Sequence, residues 1–249
     1  MSTALSHALL QARATEVRAY LAFLEAALER GAEVKARTLP ALALDIELTH
    51  TLKANTYLLL YNVVEATMTQ LIADIHCTVK QSGAKLDDLH PQMYLHILRR
   101  FRESKKDITE KTAPVPSGAT IIDHWIGDYE SRAKDNRNYL LSGNVDSRRI
   151  REIGRHYGFA SLEDDQDTHL SHASLLITKN RRNMLAHGEL SFRDCGQALG
   201  YNDVDSDANG LLNCLSNVVK HVDDYLTRGL YLRVNVPLPA TPAPPPPPA

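Results

Sequence analysis

The residues of this sequence that best suit chemistry lie in KNRRNMLAHGELSF, residues 179–192. Arg182 and Asn183 precede a short apolar run that ends in His187 and Gly188. A histidine exchanges protons near neutral pH because its unperturbed pKa is about 6.5. An arginine stays charged and binds two phosphate oxygens through its planar guanidinium group. These residue types therefore suit a reaction at a phosphate group that requires proton transfer.

The spacing of these residues favours a helix that ends at the histidine. Asn183 and His187 are four residues apart, so a helix places them on one face. Arg182 precedes His187 by five residues, which is about 140° away from same-side alignment. Convergence therefore requires the reach of the arginine, a loosened last turn before Gly188, or a second copy of the motif across a dimer axis. Gly188 favours the loosened turn, since glycine commonly ends a helix in a left-handed conformation, and this geometry leaves the imidazole near solvent.

Composition indicates a folded chain and leaves its partner class open. The 249 residues, 43% hydrophobic and 23% charged, suffice for one large or two small domains. The formal net charge of −2 argues against binding nucleic acid by bulk charge, although local basic faces are compatible with it. The cysteines Cys77, Cys195 and Cys214 lack CxxC spacing, which favours a reducing compartment. Without a signal peptide pattern or a membrane-length apolar run, we expect a cytoplasmic protein with no membrane partner.

Apolar residues recur at intervals of three and four through the long segments, which predicts an all-α fold. The expected helices cover residues 6–30, 48–80, 90–106, 121–134, 147–158, 167–187 and 208–231. Asp146 or Ser147 is expected to cap the fifth of these helices, and Gly158 to end it. Two prolines and a glycine predict a loop over residues 107–120.

The domain prediction follows from the same pattern. We expect residues 1–236 to form a single helical domain. Residues 237–249, PLPATPAPPPPPA, favour an extended polyproline II segment without a packed face, and we expect a disordered tail there.

Motifs for metals and cofactors are lacking. DSDANG, residues 205–210, resembles the start of a calcium loop, but the twelfth position is Ser216 and not a bidentate glutamate. We expect this stretch to cap the final helix. No Walker, dinucleotide-binding or esterase motif occurs, and His169, His172 and His221 lack metal-ligand companions. The sequence therefore predicts neither a metal nor a cofactor.

Three segments of this sequence resemble a known family. RNMLAHG is similar to the R-x(4–6)-H motif of the HEPN superfamily (higher eukaryotes and prokaryotes nucleotide-binding), whose arginine is typically followed by a polar residue. LLLYNVVEATMTQLI (58–72), LSGNVDSRRIREIGRHYGF (141–159) and TKNRRNMLAHGELSFRDCG (178–196), in this order, resemble a prokaryotic HEPN branch often linked to restriction and defence systems. The resemblance covers roughly residues 10–232.

The resemblance implies a HEPN-like helical bundle with additional helices, dimerised so that two motifs face each other. It also implies metal-independent endoribonuclease activity, in which the RNA 2′-hydroxyl attacks the adjacent phosphorus and leaves a 2′,3′-cyclic phosphate and a 5′-hydroxyl. In that reaction Arg182 would stabilise the phosphate and its transition state, His187 would transfer protons, and Asn183 would position the reacting groups. A dimer would supply two histidines and two arginines to one phosphate.

Polar residues on the apolar second helix are further candidates. Tyr61, Asn62 and Glu65 lie within LLLYNVVEA, where burying a polar group is costly unless it is paired. They either reach Arg182 and His187 as supporting partners, or form satisfied hydrogen bonds in the core, or face water at its edge.

Local basic groups are candidates for RNA binding. They occur in RRFRESKK (99–106), RRIREIGRH (148–156) and KNRR (179–182). If these groups share a face, they form an electropositive path for an RNA backbone; otherwise they are solvated helix faces. The candidates are Lys179, Arg181, Arg148, Arg149 and Arg151.

Two classes of function remain open. The first is a homodimeric ribonuclease that acts on RNA in prokaryotic defence or as a toxin, under control of a regulatory or antitoxin protein. The second is a catalytically inactive HEPN module that binds nucleic acid or a partner protein, with His187 as a cationic helix cap and Arg182 as an ordinary surface charge. Modification by a partner nucleotidyltransferase is a weaker alternative; Tyr201 lies close to the motif, but no residue tests this idea.

Overall fold

The computed structural model describes residues 3–29, 32–35, 37–38, 40–104, 118–134, 141, 144–161 and 168–235. The α-helices in these ranges are α1 (Ala4–Ala27), α2 (Ile46–Ser82), α3 (Pro91–Ser104), α4 (Gly118–Lys134), α5 (Ser147–Tyr157), α6 (Ala173–Ala186), α7 (Phe192–Gln197) and α8 (Tyr201–Thr227). Three short 3₁₀ turns lie at Leu86–Asp88, Thr168–Leu170 and Arg233–Asn235. Strands β1 (Glu33–Val34) and β2 (Leu42–Ala43) pair antiparallel. The predicted all-α fold is confirmed.

Helix α2 lies at the centre of the bundle. Its 37 residues would span about 55 Å at 1.5 Å per residue. It packs against α1, α6, α7 and α8, so apolar residues on several of its sides are buried. The α2 residues without exposed surface include Leu60, Val63, Met68 and Ile75. The helices around the motif thus pack against one long helix, α2. In the described ranges, no helix has the length and apolarity to span a membrane.

Local capping signals give several helix ends correctly. The Asp146 carboxylate accepts the N–H of Arg149 at 2.9 Å and begins α5, as expected. Gly158 ends α5 with a φ of 84°, which an L side chain would rarely adopt. Both ends follow from residues within one turn of the helix, so they could be predicted from the sequence.

The start of the last helix was predicted wrongly. α8 begins at Tyr201, where the Asp203 carboxylate accepts the N–H of Gly200 at 2.8 Å. Residues 205–210, DSDANG, therefore lie inside the helix and do not cap it. Their aspartate, asparagine and glycine suit turns, but here the apolar neighbours Val204 and Ala208 are buried against the core and keep the segment helical.

Smaller differences affect other elements. α6 begins at Ala173 and not near residue 167, because the imidazole of His172 accepts the N–H of Ser174 at 3.2 Å and caps it. α4 begins at Gly118, inside the predicted loop, whose residues 107–117 lie outside the described ranges. The predicted tail, residues 237–249, also lies outside them, and the single-domain boundary stays a prediction.

Helix α7 was missed because six residues are too few to display a helical period. The Ser191 hydroxyl caps it by accepting the N–H of Asp194 at 3.0 Å. Its backbone then meets that of α2, since a Cβ atom on Gly196 would lie 1.8 Å from the carbonyl oxygen of His50. Only a glycine permits this approach.

A cluster of imidazole and aromatic rings joins α2, α3, α4 and α5. The His76 Nε2 atom lies 2.8 Å from the Tyr157 hydroxyl, and the ring of Trp125 meets the His76 ring at 4.2 Å between centroids. His96 and His156 stack with their centroids 4.7 Å apart. Burial, and for His96 also the neighbouring His156, lowers the pKa of His76 and of His96 to about 3.

Acid should therefore destabilise the fold between about pH 6.5 and pH 3. The unfolded chain binds protons at His76 and His96 below a pH of about 6.5, whereas the folded chain binds them only near pH 3. The free energy of unfolding then falls with pH by up to about 1.4 kcal/mol per pH unit for each histidine. Urea denaturation between pH 7 and pH 5 measures the slope of the free energy of unfolding against pH. This slope should be smaller for His76→Gln than for wild type. The exposed His7→Gln should keep the wild-type slope, and equal slopes in all three proteins would contradict this prediction.

Candidate functional site

Helix α6 carries Asn183 and His187 on the side that faces away from the core, whereas Arg182 lies nearer to its buried side. Leu175, Thr178 and Leu185 are buried, and α6 packs on α2, α7 and α8. Asn183 is half-buried and His187 is exposed at the end of the helix, as the sequence predicts.

The helix ends at Gly188, which has the left-handed conformation that the sequence predicts there. Gly188 has a φ of 72°, and the N–H of Glu189 donates to the carbonyl oxygen of Met184 at 2.9 Å. The N–H of His187 donates to the carbonyl oxygen of Asn183 at 2.9 Å, whereas the N–H of Gly188 donates to the carbonyl oxygen of Leu185 at 3.3 Å, a tighter i−3 bond. The convergence of Arg182 and His187, by the reach of the arginine, by this last turn or across a dimer axis, stays a prediction.

Arg182 is held on two sides. Its Nη1 donates to Oδ1 of Asn183 at 2.9 Å, and its guanidinium carbon lies 4.5 Å from the centre of the Tyr61 ring. The Nδ2 atom of Asn183 in turn donates to Oδ1 of Asn144 at 2.9 Å. The side chains of the motif thus contact α2 and the residues just before α5.

Tyr61 connects these two regions. It is buried, and its hydroxyl accepts the N–H of Val145 at 2.9 Å. Burial, reinforced by the charge of Glu65, raises the pKa of Tyr61 to about 12, so the hydroxyl is neutral at neutral pH. Tyr61, Val145, Asn144, Asn183 and Arg182 form a closed ring of contacts, which we call the motif ring.

The structure brings Glu65 to the motif ring but leaves Asn62 outside it. Glu65 is half-buried and interacts electrostatically with both Tyr61 and Arg182. Burial raises the pKa of Glu65 above its ordinary value, although the charge of Arg182 opposes this shift. Asn62 is exposed, and in the described part of the chain no hydrogen bond joins it to the motif.

Three of the five candidate RNA-binding residues form ion pairs within the fold. Lys179 lies 2.6 Å from the Asp146 carboxylate, and the two atoms are largely shielded from solvent. The guanidinium of Arg149 lies 2.6 Å from the carboxylate of Glu152 on the same helix. The third residue, Arg181, pairs with Asp207 at 3.1 Å. The ion pairs of Lys179 and Arg181 join α6 to the start of α5 and to α8, whereas the pair of Arg149 lies within α5.

The other two arginines line a cleft where α5 and α6 begin. Arg148 is exposed, and Arg151 is half-buried. The wall of the cleft also includes Ser147, His172 and Leu176. The five candidate residues therefore have different surroundings, and Arg148 is the most accessible of them.

A polar network that the sequence did not reveal attaches α6 to α2 and α8. The buried Tyr57 donates its hydroxyl to Asp207 at 2.8 Å, and Ser174 donates to the other oxygen of that carboxylate at 3.1 Å. Arg181 bonds to both Tyr57 and Asp207, with its guanidinium 4.5 Å from the Tyr57 ring centre. The helical spacing of Val204, Ala208 and Leu211 was the signal that could have placed Asp207 on the inner side of α8.

The site offers no cation-binding set in the part of the chain described. There, no three side chains of His, Cys, Asp or Glu come together in a way that could hold a metal ion.

Comparison with known proteins places this chain in a family. The model of the family described as HEPN_MAE_28990-like HEPN matches residues 1–231, a range that contains the whole motif ring. No curated protein and no solved structure shows a significant match. The match covers most of the chain, and the protein therefore belongs to the HEPN_MAE_28990-like HEPN family.

Proposed function

We propose that the protein is a metal-independent endoribonuclease with Arg182, Asn183 and His187 at its active site. Family membership supports a nuclease or other nucleic-acid-related function in general. The observation that carries the finer proposal is the motif ring, which holds the arginine of the motif close to the end of the helix where the imidazole of His187 is exposed. A preorganised guanidinium stabilises charge on a phosphoryl group without reorganising during the reaction.

The proposed reaction needs two proton transfers. One imidazole removes the proton from the 2′-hydroxyl as its oxygen bonds to phosphorus. A protonated imidazole gives a proton to the 5′-oxygen as its bond to phosphorus breaks. Arg182 neutralises the charge that builds up on the phosphoryl oxygens, and Asn183 holds the arginine. The products are a 2′,3′-cyclic phosphate and a 5′-hydroxyl.

A second copy of the chain would supply the second imidazole. Leu176 is 49% exposed and Met184 is 37% exposed, eight residues apart on the outer side of α6. Side chains eight residues apart point about 80° apart around a helix, so these two apolar groups lie on either side of the direction of His187. We infer a homodimer that buries this side of α6 and brings the two motifs together.

Cleavage of a mixed RNA pool in EDTA tests the proposed reaction. Wild type should cleave and leave cyclic phosphate termini, while His187→Ala and Arg182→Ala should lower the rate by about 10²–10⁴-fold. The matched control is His7→Ala, an exposed histidine on α1 that should cleave like wild type.

Circular dichroism spectra that match among the four proteins exclude loss of folding. No cleavage by wild type, or equal cleavage by wild type and His187→Ala, would contradict the proposal and favour the inactive binding module.

The cellular role rests on the family resemblance. We infer a cytoplasmic protein that acts in prokaryotic defence or as a toxin and is restrained by a regulatory or antitoxin protein. Growth arrest on expression of wild type but not of His187→Ala is the corresponding observation in cells, and survival in both cases would contradict a toxin.

The dimer has its own prediction. Leu176→Glu and Met184→Glu should each convert the protein to a monomer in sedimentation equilibrium. A carboxylate buried without a partner in the interface would destabilise the dimer by several kcal/mol. Cleavage should fall with the dimer. Leu95→Glu changes a leucine of similar exposure on α3 and should leave both properties intact. A monomeric wild type, or a monomeric variant with full activity, would contradict the dimer.

The RNA backbone is expected to contact the α5 residues of the cleft, since its α6 residue Leu176 belongs to the proposed dimer interface. Of the five basic candidates, Arg148 is exposed, and within the described ranges no carboxylate lies as close to it as those that pair with Lys179, Arg149 and Arg181. We infer that Arg148, with Arg151 beside it, binds an RNA phosphate.

RNA binding by the His187→Ala protein, followed by fluorescence anisotropy, tests this contact. Arg148→Ala should weaken binding to all RNA sequences. The slope of log affinity against log salt concentration should become shallower by the amount expected for the loss of about one phosphate contact. Arg18→Ala removes an exposed charge on α1 and should have no such effect. An unchanged slope for Arg148→Ala would remove the cleft from the RNA path.

A further inference from the structure

Asn144 contacts the motif although it lies outside it. The side chain is exposed, and its Oδ1 accepts the Nδ2–H of Asn183, 39 residues later in the chain, at 2.9 Å. Its position is thus set by tertiary contacts and not by the helix that carries the motif.

The two residues after Asn144 hold it in place. Val145 is fully buried and donates its N–H to the Tyr61 hydroxyl at 2.9 Å. Asp146 accepts from Lys179 of α6 at 2.6 Å and caps α5. Three consecutive residues therefore contact α6, α2 and α6 again. This repetition fixes the Asn144 side chain against the motif even though solvent reaches it.

The chemistry of an amide determines what Asn144 does there. An asparagine side chain has one acceptor oxygen and one donor nitrogen. Since Asn144 presents its oxygen, Asn183 must turn its nitrogen toward Asn144 and its oxygen toward Nη1 of Arg182. If Asn183 rotated by half a turn, its nitrogen would face the Arg182 nitrogen, and two donors would oppose each other.

Two contacts with described residues bear on the orientation of Arg182. The Tyr61 ring sets the position of the guanidinium plane, at 4.5 Å from the ring centre. The hydrogen bond to Asn183 sets its rotation within that plane. Bidentate binding of phosphate requires both, since the donors of a guanidinium point in fixed directions.

We propose that Asn144 is a positioning residue, whose side-chain oxygen orients Asn183 and, through it, the guanidinium of Arg182 toward the phosphate. The catalytic consequence rests on the proposed ribonuclease function. Asn144 itself exchanges no proton and forms no bond with the substrate.

Three variants separate this role from a merely structural one. Asn144→Leu is of similar size but has no acceptor, Asn144→Asp keeps an acceptor oxygen, and Asn213→Leu changes an exposed asparagine of α8 as the matched control. Asn144→Leu should lower kcat by about tenfold to a hundredfold, with KM changed by less than about threefold, because misoriented donors fail mainly at the charged transition state. Asn144→Asp should restore most of kcat, and thermal melting should be unchanged in all three.

Side-chain NMR gives a readout that does not need activity. In ¹⁵N-labelled protein, the Nδ2–H₂ signals of Asn183 and the Nε–H signal of Arg182 should shift in Asn144→Leu and stay near their wild-type positions in Asn144→Asp and Asn213→Leu. If wild type cleaves no RNA, the ribonuclease proposal fails while these signals still decide the positioning role. Unmoved Arg182 and Asn183 signals in Asn144→Leu would overturn the inference, as would wild-type kcat in an active protein.

Discussion

Two buried tyrosines one turn apart on α2 are the constraint on which the motif depends. Tyr57 and Tyr61 are almost fully buried, so each hydroxyl needs a partner and each ring needs a neighbour. The rings meet the guanidinium groups of Arg181 and Arg182, each at 4.5 Å from the ring centre. Consecutive arginines on α6 are thereby matched to consecutive turns of α2. This pairing fixes both the rotation of α6 and its height along α2.

The two adjacent arginines have different surroundings and so suit different tasks. Arg181 pairs with the Asp207 carboxylate, which also binds Tyr57 and Ser174, and this network joins α2, α6 and α8. Removing one member would leave a partly buried charge without its partner, which destabilises the fold. Arg182 instead donates to the neutral amide of Asn183, and the half-buried Glu65 carboxyl also attracts it.

The motif ring and the histidine cluster lie on different parts of α2. Tyr61 and His76 are separated by about 22 Å along the helix, at 1.5 Å per residue. The tyrosine end positions the motif, while the histidine end buries neutral imidazoles whose protonation opposes folding. The two regions are joined by α2 and also by α5, because Tyr157 of α5 belongs to the histidine cluster while Asn144 and Val145 come just before that helix. The two sets of contacts have no residue in common.

Local patterns in the sequence determined much of this protein. Apolar spacing predicted the long helices, and Asp146, Gly158 and Gly188 marked helix ends because a cap contacts only residues within a turn. The motif also placed Asn183 and His187 at the exposed end of α6. Local composition failed at residues 205–210, where residues typical of turns are helical because Val204 and Ala208 pack on the core.

Only the tertiary structure decided which polar groups meet. Asn144 and Asn183 are 39 residues apart, Tyr61 and Val145 are 84 apart, and Tyr57 and Asp207 are 150 apart. The basic residues near the motif looked alike in sequence, yet ion pairs hold Lys179 and Arg181 while Arg148 remains exposed. Helix periodicity reports which side of a segment is apolar, but it carries no information about the distance between segments. Hydrogen bonds and ion pairs depend on that distance, which the packing of α2, α5, α6 and α8 sets.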